Sequence, residues 1–241
     1  MQIVTIEPGA VIAHDDTIHM EVSELAPRAG FSARRNPASD EVLLLLAGSG
    51  EFTTADRIFP FDAVCHAFIP AGTAYGLRNT GAMPLRYIWA LCPGGLREEN
   101  VPHDRRGGPG GVTLLSISQY DRFPDSGFVR GGMFFLDGDQ DPPGHSHDGA
   151  AEVFVFLNGQ VDIIVEDRRE RVGVGQAVYV PAELKHQFEN QSEERIAMWL
   201  TATPNVRPSH TFYEQAAGGG WKRTTPAYSG NPMKGGRLAE S

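Results

Sequence analysis

Apolar residues along this chain come in short runs, broken repeatedly by Gly, Pro, Asn and Asp, and no long stretch keeps a helical period. The opening residues Met1 to Glu7 alternate apolar and polar like a strand, and the runs Val42–Leu46, Val153–Leu157 and Ala177–Val180 read as strands buried on both faces. With 28 Gly and 17 Pro to supply turns, the pattern predicts an all-β chain of many short strands.

The pattern also repeats. Shifting the chain by 111 residues, the distance from Glu41 to Glu152, lays Glu41–Gly48 on Glu152–Gly159. The same shift lays Phe68–Ala71 on Tyr179–Ala182 and Asn79 on Asn190, while Trp89 and Trp199 agree within one residue. The expected organisation is therefore two β-barrels in tandem. An N-terminal barrel takes residues 1–95, and a linker with a connecting strand takes 96–125. A C-terminal barrel takes 126–206, and a Gly/Pro-rich tail takes 207–241. Aromatic residues in that tail, among them Phe212, Tyr213, Trp221 and Tyr228, leave two readings open: it wraps over a barrel or a neighbouring subunit, or it is disordered.

Candidate chemistry is concentrated in the second copy. His145 and His147 are two apart, so on a strand they project to one face, and Glu152 opens the following apolar run. His186 follows the run Ala177–Val180 and closes the set from across the barrel. A lone histidine is more often a core or surface residue, but three imidazoles and a carboxylate suit a divalent transition metal with open coordination positions. The first copy lacks this set: under the shift His145, His147 and His186 correspond to Arg34, Asn36 and Tyr75, and only Glu41 remains. The N-terminal barrel is accordingly expected to be metal-free, with Glu41 paired to Arg34 or Arg35.

The two stretches Gly144–Gly159 and Gly175–Asn190 resemble the paired motifs of the cupin superfamily, small jelly-roll barrels (double-stranded β-helices) that hold a metal inside. The resemblance covers about residues 20 to 95 and 128 to 206, and so implies a bicupin. It implies His145, His147, Glu152 and His186 as ligands, Gly159 and Gly175 as turn glycines, and Asn190 as the close of the second motif. Two positions depart from the pattern. Asp139 stands where the first motif usually opens with glycine, and Glu183 stands two residues after Pro181, where glycine is usual.

Alternation along barrel strands places Phe154 and Phe156 inward with Glu152, and Phe188 inward with His186. From the preceding strand, either Phe134 or the pair Met133 and Phe135 joins that lining. His14, His19, His66, His103 and His210 lie outside the motifs and are expected to have no role in the site; Glu183 is expected to be an exposed turn carboxylate.

A net charge of -9 argues against non-specific nucleic-acid binding, and Cys65 and Cys92 form no disulfide framework. Neither a signal peptide nor a membrane-length apolar run is visible, so a cytoplasmic protein is expected, with a homodimer as its assembly and a small molecule as its partner. The expected cofactor is one divalent transition metal per chain, Fe2+ or Mn2+ ahead of Ni2+ or Zn2+. The expected function is a metal-dependent dioxygenase acting on a small oxygen-chelating organic substrate. A non-oxidative isomerase, decarboxylase or lyase is the alternative within enzymes, and a small-molecule binding or storage barrel is the alternative outside them.

Overall fold

A computed structural model describes residues 1–93, 111–117, 122–124, 126–139, 141–205 and 210–224. The described residues are strands and connections, with no helix among them. Four antiparallel sheets form two barrels. The N-terminal barrel faces a six-stranded sheet against a four-stranded one; the C-terminal barrel faces a five-stranded sheet against a six-stranded one.

The central strands show why their sequences are apolar at every position. In β5 (Asp40–Ala47), Leu43 and Leu45 point into the N-terminal barrel, whereas Val42 and Leu44 point out of it. In β14 (Ala151–Phe156), Phe154 and Phe156 point into the C-terminal barrel, whereas Val153 and Val155 point out. The outward sets meet in one shared core that also takes Met20, Ile88 and Phe68 from one barrel and Met133, Ala177 and Trp199 from the other. Burial on both faces turns an alternating strand pattern into a continuous apolar run.

The one-residue mismatch of the tryptophans has a physical consequence. Trp89 on β10 (Leu85–Cys92) faces its barrel interior, but Trp199 on β19 (Ile196–Thr203) faces the shared core. A one-residue step along a strand reverses the face. Trp199 is fully buried there, its Nε1 3.3 Å from Nδ1 of His66 and its ring edge-on to Phe123. His66 is a core histidine.

The motif asparagines do the same work in both copies. The Asn79 side-chain amide donates to the carbonyls of Leu25 (3.0 Å) and Met83 (2.8 Å), and that of Asn190 to those of Asp137 (3.0 Å) and Glu194 (2.7 Å). Each is buried and ties a barrel strand to the turn before the next one. The two departures from the motif glycines are explained by backbone conformation. Asp139 has φ +54° and Glu183 φ +69°, in the left-handed region where glycine is at ease. The first copy has Gly72, at φ +83°, in the place of Glu183.

The expected domain boundaries need correction, because strands join sheets across them. β1 (Gln2–Thr5) pairs with β17 (Gln176–Val180) and so belongs to the C-terminal barrel, not to a unit of residues 1–95. β11 (Thr113–Ser116), expected in the linker, pairs with β8 (Cys65–Ile69) in the N-terminal barrel. The tail contributes β20 (Thr211–Gln215) and β21 (Trp221–Arg223) to the C-terminal barrel, as an extension of its six-stranded sheet. Each segment covers a sheet edge that would otherwise expose unpaired N–H and C=O groups. His103 and Tyr228 lie outside the described residues.

The shared core makes the two barrels one cooperative unit. Scanning calorimetry should give a single transition, and Trp199→Ala should lower it as a whole, with a loss of ~3–5 kcal/mol. Two resolved transitions would show instead that the barrels unfold independently.

Candidate metal centre

Three short segments bring the four predicted side chains together. His145 lies on β13 (Gly144–Ser146) and His147 directly follows it, Glu152 lies on β14, and His186 begins β18 (His186–Glu189). His145 and His186 are direct cross-strand partners, their ring centroids 4.4 Å apart. One donor atom from each of the four lies within 4.8 Å of the others. His147, Glu152 and His186 are buried, and His145 is partly buried.

The tautomers of two histidines are set by backbone carbonyls. Nδ1 of His145 lies 3.2 Å from the Pro143 carbonyl oxygen, and Nδ1 of His186 lies 3.0 Å from that of Leu184. A carbonyl only accepts, so both Nδ1 atoms carry hydrogen, and Nε2 is the atom each ring would offer to an ion. This outer bond is the usual means of orienting an imidazole toward an ion.

Burial pushes the Glu152 carboxyl up, but the His147 and His186 imidazoles more than offset this and hold it well below the usual carboxylate range. Burial holds His145 well below the usual histidine range, reinforced by His186 and His147. Burial also lowers His147, against the pull of Glu152 and with the help of Arg130. A carboxylate and neutral imidazoles are the protonation states that a metal ligates.

The set fits a divalent transition metal on a second ground. Glu152 Oε2 and His186 Nε2 are buried 3.0 Å apart, and neither makes a well-formed hydrogen bond. Leaving such atoms unsatisfied is destabilising by ~1–3 kcal/mol each, more for a charged group. Glu152 Oε2 is also 2.9 Å from His147 Nε2. Two neighbouring ligands at ~2.1 Å from a shared ion are separated by about this distance.

Phe134, Phe154, Phe156 and Phe188 all pack in the interior of this barrel, while Met133 turns to the shared core. Among the described contacts Phe154 is the one of the four that meets a site histidine, its ring 5.9 Å from His186. Glu183 is exposed and accepts a hydrogen bond from the Gly149 N–H (2.7 Å), beside the loop that holds His147.

One expectation is overturned. His210, thought to lie outside the site, sits at the start of the tail strand with its ring 4.3 Å from that of His147 and 5.2 Å from that of His145, stacked on Phe212. Burial, His147 and Arg130 push it down to about 3. Arg130, from β12 (Arg130–Leu136), was also not anticipated; its Nη2 lies 2.7 Å from Nδ1 of His147. Neither lies in a motif. The alternation of Thr211 to Tyr213 was the available sign that His210 stands at the head of a barrel strand.

The equivalent place in the N-terminal barrel is filled by other chemistry. Glu41 Oε2 accepts from Tyr75 (2.7 Å) and Trp89 Nε1 (2.6 Å) and pairs with Arg34 Nε (3.2 Å). The Arg34 guanidinium lies 3.9 Å over the Trp89 ring, adding a cation–π contact. Ala33, at φ +57° within an irregularity of β4 (Gly30–Arg35), leads directly into Arg34.

Residues 132–203 match the cupin domain family. Over 83% of this chain and 98% of the other, the structure resembles AerE from Microcystis aeruginosa, with 19% identity and a TM-score of 0.58. Over 78% of this chain and 71% of the other it resembles a salicylate 1,2-dioxygenase from Pseudaminobacter salicylatoxidans, with 12% identity and a TM-score of 0.64. The family match lies within the C-terminal barrel, and the paired barrels share their fold with these solved structures. A 77-residue stretch is 32% identical to the endoribonuclease YbeY of Myxococcus xanthus, covering 30% of this chain; the match spans about a quarter (26%) of that curated relative's length. No helix among the described residues is long and apolar enough to cross a membrane.

Two measurements test the site. His186→Ala should reduce bound metal from about one per chain to near none after dialysis, with β-sheet circular dichroism unchanged, while Tyr75→Phe should leave metal content as it was. Full metal retention in His186→Ala would place the ion elsewhere.

The depressed His210 also makes the metal-free protein acid-sensitive. The unfolded chain protonates this imidazole near its ordinary value while the folded chain does not, so stability falls as pH drops below ~6.5, by up to ~1.4 kcal/mol per pH unit. His210→Phe should flatten that fall in urea titrations between pH 7.5 and 5.5; an unchanged slope would contradict the burial of a neutral ring.

Proposed function

We propose that this bicupin is a metal-dependent enzyme, and that a dioxygenase acting on a small oxygen-chelating organic molecule is the function its geometry supports best. The carrying observation is the convergence of three imidazoles and one buried carboxylate in a barrel whose interior is packed with phenylalanines. A bound Fe2+ or Mn2+ ion would supply a Lewis-acidic, redox-active centre with coordination positions left for substrate.

The chain's own groups account for the rest. Glu152 balances part of the ion's charge, and the carbonyls of Pro143 and Leu184 hold two imidazoles in orientation. Phe134, Phe154 and Phe188 exclude water beneath the site and offer apolar surface to an organic ligand. The likeness to a salicylate 1,2-dioxygenase supports this reading through the fold alone.

A non-oxidative reaction has one particular in its favour: His210 adds a neutral polar ring beside the site but outside the four-ligand group. Oxygen uptake by iron- or manganese-loaded protein, on a panel of catechols, diketones and flavonols, separates the two. Uptake with at least one substrate, abolished in Glu152→Ala, is expected. Turnover without oxygen uptake would establish an isomerase, decarboxylase or lyase. Absence of any turnover, with an organic ligand co-purifying, would favour a binding protein.

A further inference from the structure

The strand that carries His145 is too short to hold itself in place. β13 has three residues and a single pairing with β18, where His145 faces His186. Its other side is paired along its whole length by the tail strand β20: Gly144 with Tyr213, His145 with Phe212, and Ser146 with Thr211. Pairing of so short a strand is marginal without a neighbour that engages all of it, and here that neighbour comes from outside both motifs.

Alternation sorts these residues onto two faces. His145, His186 and Phe212 share the inner face, where His210 stacks on Phe212 with its ring 4.3 Å from that of His147. Gly144 and Tyr213 share the outer face, and Trp221 of β21 lies there with them. The Trp221 ring covers Gly144 so closely that a Cβ at that position would collide with it. Tyr213 and Trp221 meet edge to face, their ring centroids 6.4 Å apart.

The same aromatic pair reaches the segment before His186. Trp221 Nε1 donates to the Glu166 carbonyl (3.1 Å), in the turn between β15 (Gln160–Val165) and β16 (Arg168–Gly173). The Glu166 carboxylate in turn accepts from the backbone N–H of Lys185 (2.9 Å), and the Lys185 ammonium lies 5.5 Å from the centre of the Tyr213 ring. Lys185 directly precedes His186. The tail hairpin thus grips the neighbours of two ligands, Gly144 beside His145 and Lys185 beside His186, while supplying no member of the four-ligand group.

We propose that Tyr213 and Trp221 are positioning residues of the metal centre, locking the ligand-bearing ends of β13 and β18 from the outer face, so that the ion and the docked tail hairpin stabilise each other. This rests on the metal-centre reading above. An ion that ties His145 to Glu152 and His186 fixes the strand on which β20 docks, and a docked β20 fixes His145 where the ion needs it. Such linkage is reciprocal.

Cobalt(II), whose visible absorption reports coordination, serves as the probe. Trp221→Ala should weaken cobalt binding about ten-fold or more, the scale on which supports behind metal ligands act, with β-sheet circular dichroism retained. Trp221→Phe, which keeps a ring over Gly144, should recover most of the loss. A merely structural tryptophan would lower the melting temperature and leave the cobalt affinity of the folded protein unchanged, and that result overturns the proposal.

A measurement on wild type alone covers the case of a variant that does not fold. Cobalt should slow hydrogen exchange at the amides of Thr211–Gln215 about ten-fold or more, and leave β16, the far edge of the same sheet, at its metal-free rate. Unchanged exchange in Thr211–Gln215 on cobalt uptake, or equal slowing in β16, overturns this inference alone. Wild type that takes up no cobalt at all overturns the metal-centre reading itself.

Discussion

A carboxylate buried at the start of the central strand of each barrel is the constraint around which the rest is arranged. Glu41 and Glu152 are 1% and 4% exposed, and an isolated carboxylate at such depth is strongly destabilising unless matched by positive charge or donors. The two copies answer in different ways. Around Glu41 the answer is complete within the protein on one oxygen: a phenol, an indole and a guanidinium converge on Oε2. Around Glu152 the neighbours are imidazoles, which favour the carboxylate but leave Oε2 without a well-formed hydrogen bond. One fold thereby gives a guanidinium ion pair in one barrel and a set of imidazoles around the acid in the other.

Holding such groups in place requires rigid strands, and the shared core supplies them. β14 is packed on its inner face by phenylalanines and on its outer face by the other barrel, which fixes Glu152 in position as well as in depth. The N-terminal barrel therefore contributes to the centre without touching it, since it covers the outer face of the strand that carries the acid. β1 adds to the same sheet on the edge of β17, the strand that leads toward His186. The exchange of β1 and β11 between barrels knits the halves further, because each barrel is completed by sequence from beyond its own repeat.

Much of this was legible in the chain. Apolar runs marked the strands buried on both faces, and the internal shift marked the two barrels and the loss of histidines from the first. Sequence also located the four residues that the structure gathers to one point, because their motifs are short and local. Legibility ended where pairing is decided by a distant partner. Nothing in Gln2–Thr5 says that its edge partner is Gln176–Val180, since any exposed edge of suitable register would accept an alternating strand. His210 and Arg130 were missed for the same reason: each belongs to a strand outside the motifs and reaches the centre only through sheet closure. The phenylalanines were placed on the correct face by alternation, but alternation cannot distinguish a cavity wall from packed core. The glycine departures at Asp139 and Glu183 were visible as letters, and only backbone conformation showed that the left-handed turns survive without glycine.

Where an arginine enters each barrel explains why the copies diverged as they did. Under the internal shift Arg34 stands in the place of His145, on β4 in the sheet that faces the acid's own, and its Nε reaches Glu41 directly. Arg130 stands instead in the place of His19, on β12 in the same sheet as Glu152, and reaches Nδ1 of His147, on the side of that ring away from Glu152. An imidazole is thus interposed between guanidinium and carboxylate in the second barrel and not in the first. In the first barrel the cation is covalently part of the chain and cannot be exchanged. In the second the arginine meets an imidazole and not the acid, so the positive groups nearest Glu152 are histidines, which can serve as ligands beside it.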